Sequence, residues 1–131
     1  MILTLKIKIV DWSCDIAIDD SSTFEDLHYA IQAAVDFDDD HLYEFFMANT
    51  ERSRNRSTIT SYEDADSVTL DTAIPIQRGK KLFYLFDYGD NWIFQILPSR
   101  KMALALETGT LHPKLLSEKG EKPLQYPDWD E

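Results

Sequence analysis

The stretch YLFDYGDNWIFQI, residues 84–96, sets two aromatic-rich runs on either side of Asp87, Tyr88, Gly89, Asp90 and Asn91. Runs of Tyr, Phe, Trp and Ile have the composition of strands. Gly89 supplies the backbone freedom of a tight loop, and Asp87, Asp90 and Asn91 are turn formers. The stretch is therefore predicted as a β-hairpin. Two roles stand open for its aspartates. As loop residues, carboxylates three positions apart accept amide hydrogens from their own turn. As chemistry, one of them would have to lose enough solvent for its pKa to move, with Phe86, Tyr88 and Trp92 as the apolar wall. The first role is the favoured one, with the aspartates also expected to fasten the hairpin to the helix that bears His28.

Working outward, Leu3, Leu5, Ile7 and Ile9 alternate with Thr4, Lys6 and Lys8, a period of two that predicts a strand with one buried face. CDIAI repeats the alternation through Cys14, Ile16 and Ile18, and VDWS between the two runs is short enough for a hairpin. DDSSTFEDLHYAIQAAVDF predicts a helix. Ser22 and Glu25 read as its capping box, and Phe24, Leu27, His28, Ile31, Ala34 and Val35 share one face. HLYEFFM has aromatics on both sides of a strand, which predicts a central, covered position. A long polar excursion follows with a short strand at STIT, then a brief strand at Val68–Leu70 and a turn at Pro75. PKLLSEKG reads as a helical turn between Pro113 and Gly120. The predicted fold is α+β: an antiparallel-rich mixed sheet of about five to six strands with one main helix on one face. Its ββα start is that of a ubiquitin-like grasp. Residues 1–131 make one domain, with 110–131 as a C-terminal tail.

Composition narrows the function classes. Cys14 is the lone cysteine, which excludes an internal disulfide and suits a reducing compartment. The opening MILTLKIKIV lacks a basic start and is interrupted by lysines, so it does not read as a signal peptide. No run approaches the ~18 apolar residues of a membrane helix. A soluble, cytoplasmic protein without membrane contact is expected. Net charge is −11, from 13 basic and 24 acidic residues. Between residues 9 and 51 there is no Lys or Arg, while the bases gather later at Arg52, Arg54, Arg56, Arg78, Lys80 and Lys81. These are the candidate nucleic-acid contacts. An acidic chain repels phosphate backbones as a whole, so nucleic-acid binding is a lesser expectation.

Three histidines, His28, His41 and His112, are available for chemistry. His28 lies on the apolar helix face, where a buried, hydrogen-bonded ring is the plain reading. His41 follows three aspartates and suits pairing with a carboxylate. A His28–His41 metal pair completed by Asp87 or Asp90 is chemically reasonable. There is no HExxH or CxxC spacing, however, and neither metal nor cofactor is assigned. GxSxG, GxGxxG and phosphate-loop motifs are absent. Cys14 alternates with core positions and reads as an inert thiol. The binding candidates are aromatic: Tyr88 and Trp92 of the hairpin, and Tyr126 and Trp129 of the acidic tail.

TFEDLHYAIQAAVDFDDDHLYEF and LFYLFDYGDNWIFQI together carry a resemblance over most of the chain. Leu27, His28, Ile31, Gln32, His41, Leu42, Phe45, Asp87, Gly89, Asp90 and Trp92 stand where the plasmid pRiA-type Orf-three-like family has its motif residues. The chain resembles that family, some of whose members are labelled insertion-element passengers or resolvases. It departs from the pattern at Ser13 and Cys14, where the family has arginines after its tryptophan, and at Phe94, where a histidine is usual. The tail also lacks the family's cysteines. The resemblance implies a small α+β fold and a mobile-element setting. It implies little about activity, and no arginine cluster of the recombinase kind is present. The expected function is a non-enzymatic module that binds a protein partner. The alternatives are a small metal-dependent or acid–base hydrolase using His28, His41, Asp87 and Asp90, and a nucleic-acid-binding accessory protein.

Overall fold

The chain runs β1 (Ile2–Ile9), β2 (Trp12–Asp19), α1 (Phe24–Val35), β3 (Tyr43–Ala48), β4 (Ser57–Ser61), two 3-10 turns (Ala65–Ser67 and Leu70–Thr72), β5 (Lys81–Phe86), β6 (Trp92–Ser99) and β7 (Lys114–Lys119). This is a computed structural model, and it describes residues 2–99 and 113–125. Seven strands form one sheet in the order β4-β3-β5-β6-β1-β2-β7. Every pairing is antiparallel. The α+β expectation holds at that level, but the sheet is larger than the predicted five to six strands and is not mixed. The β1, β2, α1 opening is present but does not lead to a grasp: β1 pairs antiparallel with β6, where a ubiquitin-like grasp sets its first and last strands parallel.

The two sequence hairpins set the frame. β1 and β2 pair from Ile2↔Asp19 to Ile9↔Trp12, so their buried Leu5, Ile7, Ile9, Cys14, Ile16 and Ile18 form part of one core. Val10 and Asp11 make the turn, and Val10 sits at φ +50 with 81% of its surface exposed. β5 and β6 pair from Leu82↔Ile96 to Phe86↔Trp92. β3 and β5 are buried on both sides. Tyr43, Phe45, Tyr84 and Phe86 face the main core, and Phe46, Ala48, Phe83 and Leu85 form a second cluster with Ile93. The Arg56 guanidinium lies 4.5 Å over the Phe46 ring on that second side.

The capping box of α1 is one residue later than the sequence suggested. Thr23 Oγ1 accepts from the Asp26 amide at 3.1 Å, and Asp26 Oδ2 accepts from the Thr23 amide at 3.0 Å. Ser22 is occupied elsewhere: its carbonyl accepts from the Leu70 amide at 2.9 Å, beside a Thr23–Thr69 bridge. The buried face is Phe24, Leu27, His28, Ile31, Gln32, Ala34 and Val35. Asp36 closes the helix in the left-handed region at φ 60.

Two local expectations are corrected. Ala65–Ser67 and Leu70–Thr72 form 3-10 turns, and Val68 and Thr69 between them are extended without forming a strand. Their pairing is confined to the start of α1: the Phe24 amide donates to the Val68 carbonyl at 2.9 Å, the Leu70 amide to the Ser22 carbonyl at 2.9 Å, and Thr23 bridges Thr69. PKLLSEKG is not helical: Lys114–Lys119 is β7, paired from Ala17↔Lys114 to Ser13↔Lys119. A segment this short gains little as an isolated helix, while the open edge of β2 supplies a ready ladder. Gly120 has the positive φ expected of it, +89, for a different reason. A Cβ there would meet the Asp11 carbonyl oxygen at 1.8 Å, so only glycine lets β7 exit past the β1–β2 turn. Both edge strands are bulged: the register shifts at Phe45/Phe46 against β4 and at Asp15/Ile16 against β7.

Candidate functional site

Asp87 is the keystone of the hairpin loop. Its backbone sits at φ +66 and its amide donates to the Leu42 carbonyl at 2.9 Å. Its Oδ1 accepts from the Gly89 amide at 3.1 Å and the Asp90 amide at 3.3 Å, and its carbonyl accepts from the Asn91 amide at 2.6 Å. Its Oδ2 lies 3.3 Å from His41 Nε2. The buried carboxylate thus holds its own turn and ties it to the loop that follows α1. The tie runs to Leu42 and His41, not to His28 on the helix. His41 is exposed and also approaches Asp40 Oδ1 at 3.6 Å. Asp90 is exposed at the crown of the loop.

His28 is fully buried and bonded at both ring nitrogens. Nδ1 meets the Tyr84 hydroxyl at 2.5 Å and Nε2 meets Asp39 Oδ1 at 2.8 Å. Gln32 Nε2 donates to the Tyr84 oxygen at 2.9 Å. The hydroxyl proton of Tyr84 is then directed to Nδ1, which leaves the ring proton on Nε2, donated to Asp39. The imidazole stacks on Tyr43 with centroids 3.7 Å apart and planes at 7°. Burial pushes the His28 pKa down, against the upward pull of the Asp39 carboxylate. Burial also drives the Tyr84 phenol well up, opposed by its bond from Gln32. The ring is neutral, oriented and fully engaged, with no nitrogen left for a metal or substrate. Asp39, at 39% side-chain exposure, is the end of this chain of bonds that meets water.

Of the four candidate groups, His41 and Asp87 pair with each other, His28 pairs instead with Asp39, and Asp90 stands exposed at the loop crown. The Phe86 ring lies 6.1 Å from the first imidazole and 5.9 Å from the second. Among the described residues no three His, Cys, Asp or Glu side chains converge as metal ligands. Cys14 is buried, and desolvation with the nearby Asp15 pushes its thiol up to about 12.

Of the aromatic and basic candidates, Trp92, Arg52 and Arg56 meet elsewhere, without Arg78, Lys80 or Lys81. A cleft of about 740 Å³ opens on the face of the sheet away from α1. Ile93 and Gln95 of β6 and Lys8 of β1 form its floor, the β1–β2 turn brings Val10, and the hairpin loop brings Asp90, Asn91 and Trp92. Glu51, Arg52 and Arg56 close the remaining side. Arg54 is not among the lining residues. Trp92 meets Phe37 at 5.1 Å on the core side, and its buried Nε1 has no hydrogen-bond partner among the described residues. Tyr88 stands apart, donating to the Tyr43 carbonyl at 3.2 Å. His112, Tyr126 and Trp129 lie outside the described residues. Just before them, Gln125 accepts from the Asp38 amide at 2.6 Å and donates to Asp40 Oδ1 at 3.1 Å, so the segment after β7 is seated on the loop behind α1.

Sequence reasoning missed Asp39, Tyr84 and Lys8. Gln32 had a signal, because it lies one helical turn beyond His28 on the same face. Lys8 had none, since it reads only as the polar side of β1 and reaches the cleft because β1 lies beside β6.

Comparison with known proteins adds a family and a neighbour. The family model described as plasmid pRiA4b ORF-3-like protein matches residues 2–125. A crystal structure of MM3350 from Methanosarcina mazei Go1, titled a protein of unknown function, is similar at 28% identity with a TM-score of 0.61. The likeness covers 89% of this chain and 67% of that one. No curated protein matches.

Proposed function

We propose that this chain, which belongs to the plasmid pRiA4b ORF-3-like family, is a non-enzymatic module that binds a protein partner through the cleft on the helix-free face of its sheet. One observation carries the reading. In a chain of net charge −11, Lys8, Arg52 and Arg56 gather with Trp92 and Ile93 around one opening. Among the described residues no carboxylate is within ion-pair distance of these bases. Cations left unpaired in so acidic a protein suit an external anionic group. The histidine–carboxylate pairs favour a structural role, since His28 and Asp87 spend their polar atoms on the fold itself. Among the described residues no helix is long and apolar enough to cross a membrane. The lone thiol, Cys14, favours a cytoplasmic setting.

The test is affinity capture from host lysate, with and without nuclease, using the native chain and an Arg52→Glu/Arg56→Glu variant. A protein that survives nuclease and is lost with the variant is the expected result. Equal capture by both chains, or partners that vanish with nuclease, would overturn the reading. Attention would then return to the His41–Asp87 pair or to the basic loop as a nucleic-acid contact.

A further inference from the structure

The cleft's own chemistry narrows its occupant. Resting on the reading above, we propose that it takes an acidic peptide segment bearing one bulky apolar side chain.

Three kinds of group line the opening, and a peptide answers each. Lys8, Arg52 and Arg56 are donors for side-chain carboxylates. Arg56 is held in place by its 4.5 Å seat over Phe46, so its charge is pre-positioned. Asp90, Glu51 and Asn91 line the same cleft and carry oxygens that accept peptide N–H groups. Between them Val10 and Ile93 present apolar surface, with Val10 exposed at the rim and Ile93 backed by Phe46, Phe83 and Leu85. That surface suits a large aliphatic or aromatic side chain. The volume, about 740 Å³, is that of a site for a few residues.

Nucleic acid is the other anionic class, and the cleft disfavours it. Three bases at one opening make no continuous track for a phosphate backbone, and such a backbone has no N–H groups to donate to Asp90 and Glu51. A short peptide needs no such track, and its N–H groups turn the same acids into acceptors.

The experiment is fluorescence anisotropy with the full chain and labelled Asp-Glu-Phe-Glu-Asp as the probe. Asn-Gln-Phe-Gln-Asn, Asp-Glu-Gly-Glu-Asp and a single-stranded oligonucleotide of matched charge serve as comparisons. The acidic Phe probe is expected to saturate, and to weaken about tenfold or more on Arg52→Gln/Arg56→Gln substitution, on neutralising its acids and on removing its Phe ring. The variant's thermal midpoint is measured alongside, so that lost binding is not lost folding. Equal binding of the neutral or Gly probe, tighter binding of the oligonucleotide, or no saturable binding of the acidic probe would overturn the proposal. If the probe fails while Arg52→Glu/Arg56→Glu still abolishes capture of a protein partner, the occupant's chemistry is wrong and the binding module stands. If both fail, both fall.

Discussion

Replacing Tyr84 by Phe removes one oxygen from the centre of the sheet. That oxygen receives a Gln32 amide hydrogen at 2.9 Å and meets His28 Nδ1 at 2.5 Å, in a side chain with no exposed surface. Its loss strands an imidazole acceptor and an amide donor, each worth about 1–3 kcal/mol when buried without a partner. The hydroxyl's own burial cost disappears and offsets part of this. The net expected loss is about 2–4 kcal/mol. In a domain of this size that lowers the thermal midpoint by roughly 10 °C. Tyr43→Phe is the matched comparison. It keeps the 3.7 Å stack on His28 and removes a hydroxyl that has no hydrogen-bond partner among the described residues, so its cost should stay under about 0.5 kcal/mol. Urea unfolding of both variants, followed by circular dichroism, reads the difference directly. If Tyr84→Phe costs no more than Tyr43→Phe, the chain of bonds from Asp39 to Gln32 does not hold the core as argued.

Acid should weaken the fold through His28. Burial holds its folded pKa below 6.5, so as pH falls through 6.5 the unfolded chain takes up a proton that the folded chain resists. Stability then falls from about pH 6.5 down to the folded pKa, by at most ~1.4 kcal/mol per pH unit. His28→Gln should flatten that slope, and parallel urea-midpoint curves for the two proteins would count against the assignment. Val10→Asn relieves a β-branched residue at φ +50 on an exposed turn and should stabilise by about 1 kcal/mol; an unchanged midpoint would show the turn to be unstrained. Gly120→Ala places a methyl group against the Asp11 carbonyl at φ +89 and should cost about 2 kcal/mol or more, read by the same unfolding assay. Cys14, buried and pushed up to about 12, should ignore Ellman's reagent until urea unfolds the chain. Rapid labelling of the native protein would contradict its placement.

Features written within a dozen residues were legible. The β1–β2 hairpin followed from strict alternation. The β5–β6 loop followed from its turn formers, and the bonds from the Asp87 carboxylate to two amides show that residue's turn role; the left-handed backbone expected of Gly89 falls instead on Asp87 and Asn91. α1 was legible to within one residue of its cap, and the slip arose because Ser22 is drawn to Leu70. β7 was not legible, since its strand identity comes from β2; Ser117 bonds to Asp15 across 102 positions. The grasp expectation failed for a related reason, because a ββα opening does not specify which strand will lie beside β1 or in which direction it runs. At the site, Arg52, Arg56, Asp90 and Trp92 were each singled out on separate grounds. Their meeting around one opening, with Lys8 added, is a product of sheet order that no local pattern carries.

The bulges at the two margins of the sheet bear on how the molecule behaves in a crowd. An open strand invites another copy to continue the ladder, and a long sheet with two open margins could grow from both. Here each outermost strand is short and breaks step with its neighbour, and β7 is bracketed by Lys114 and Lys119. An arriving strand would find its hydrogen-bonding positions out of phase and two charges at the ends. Growth sideways into fibres is thereby discouraged at both margins of the sheet.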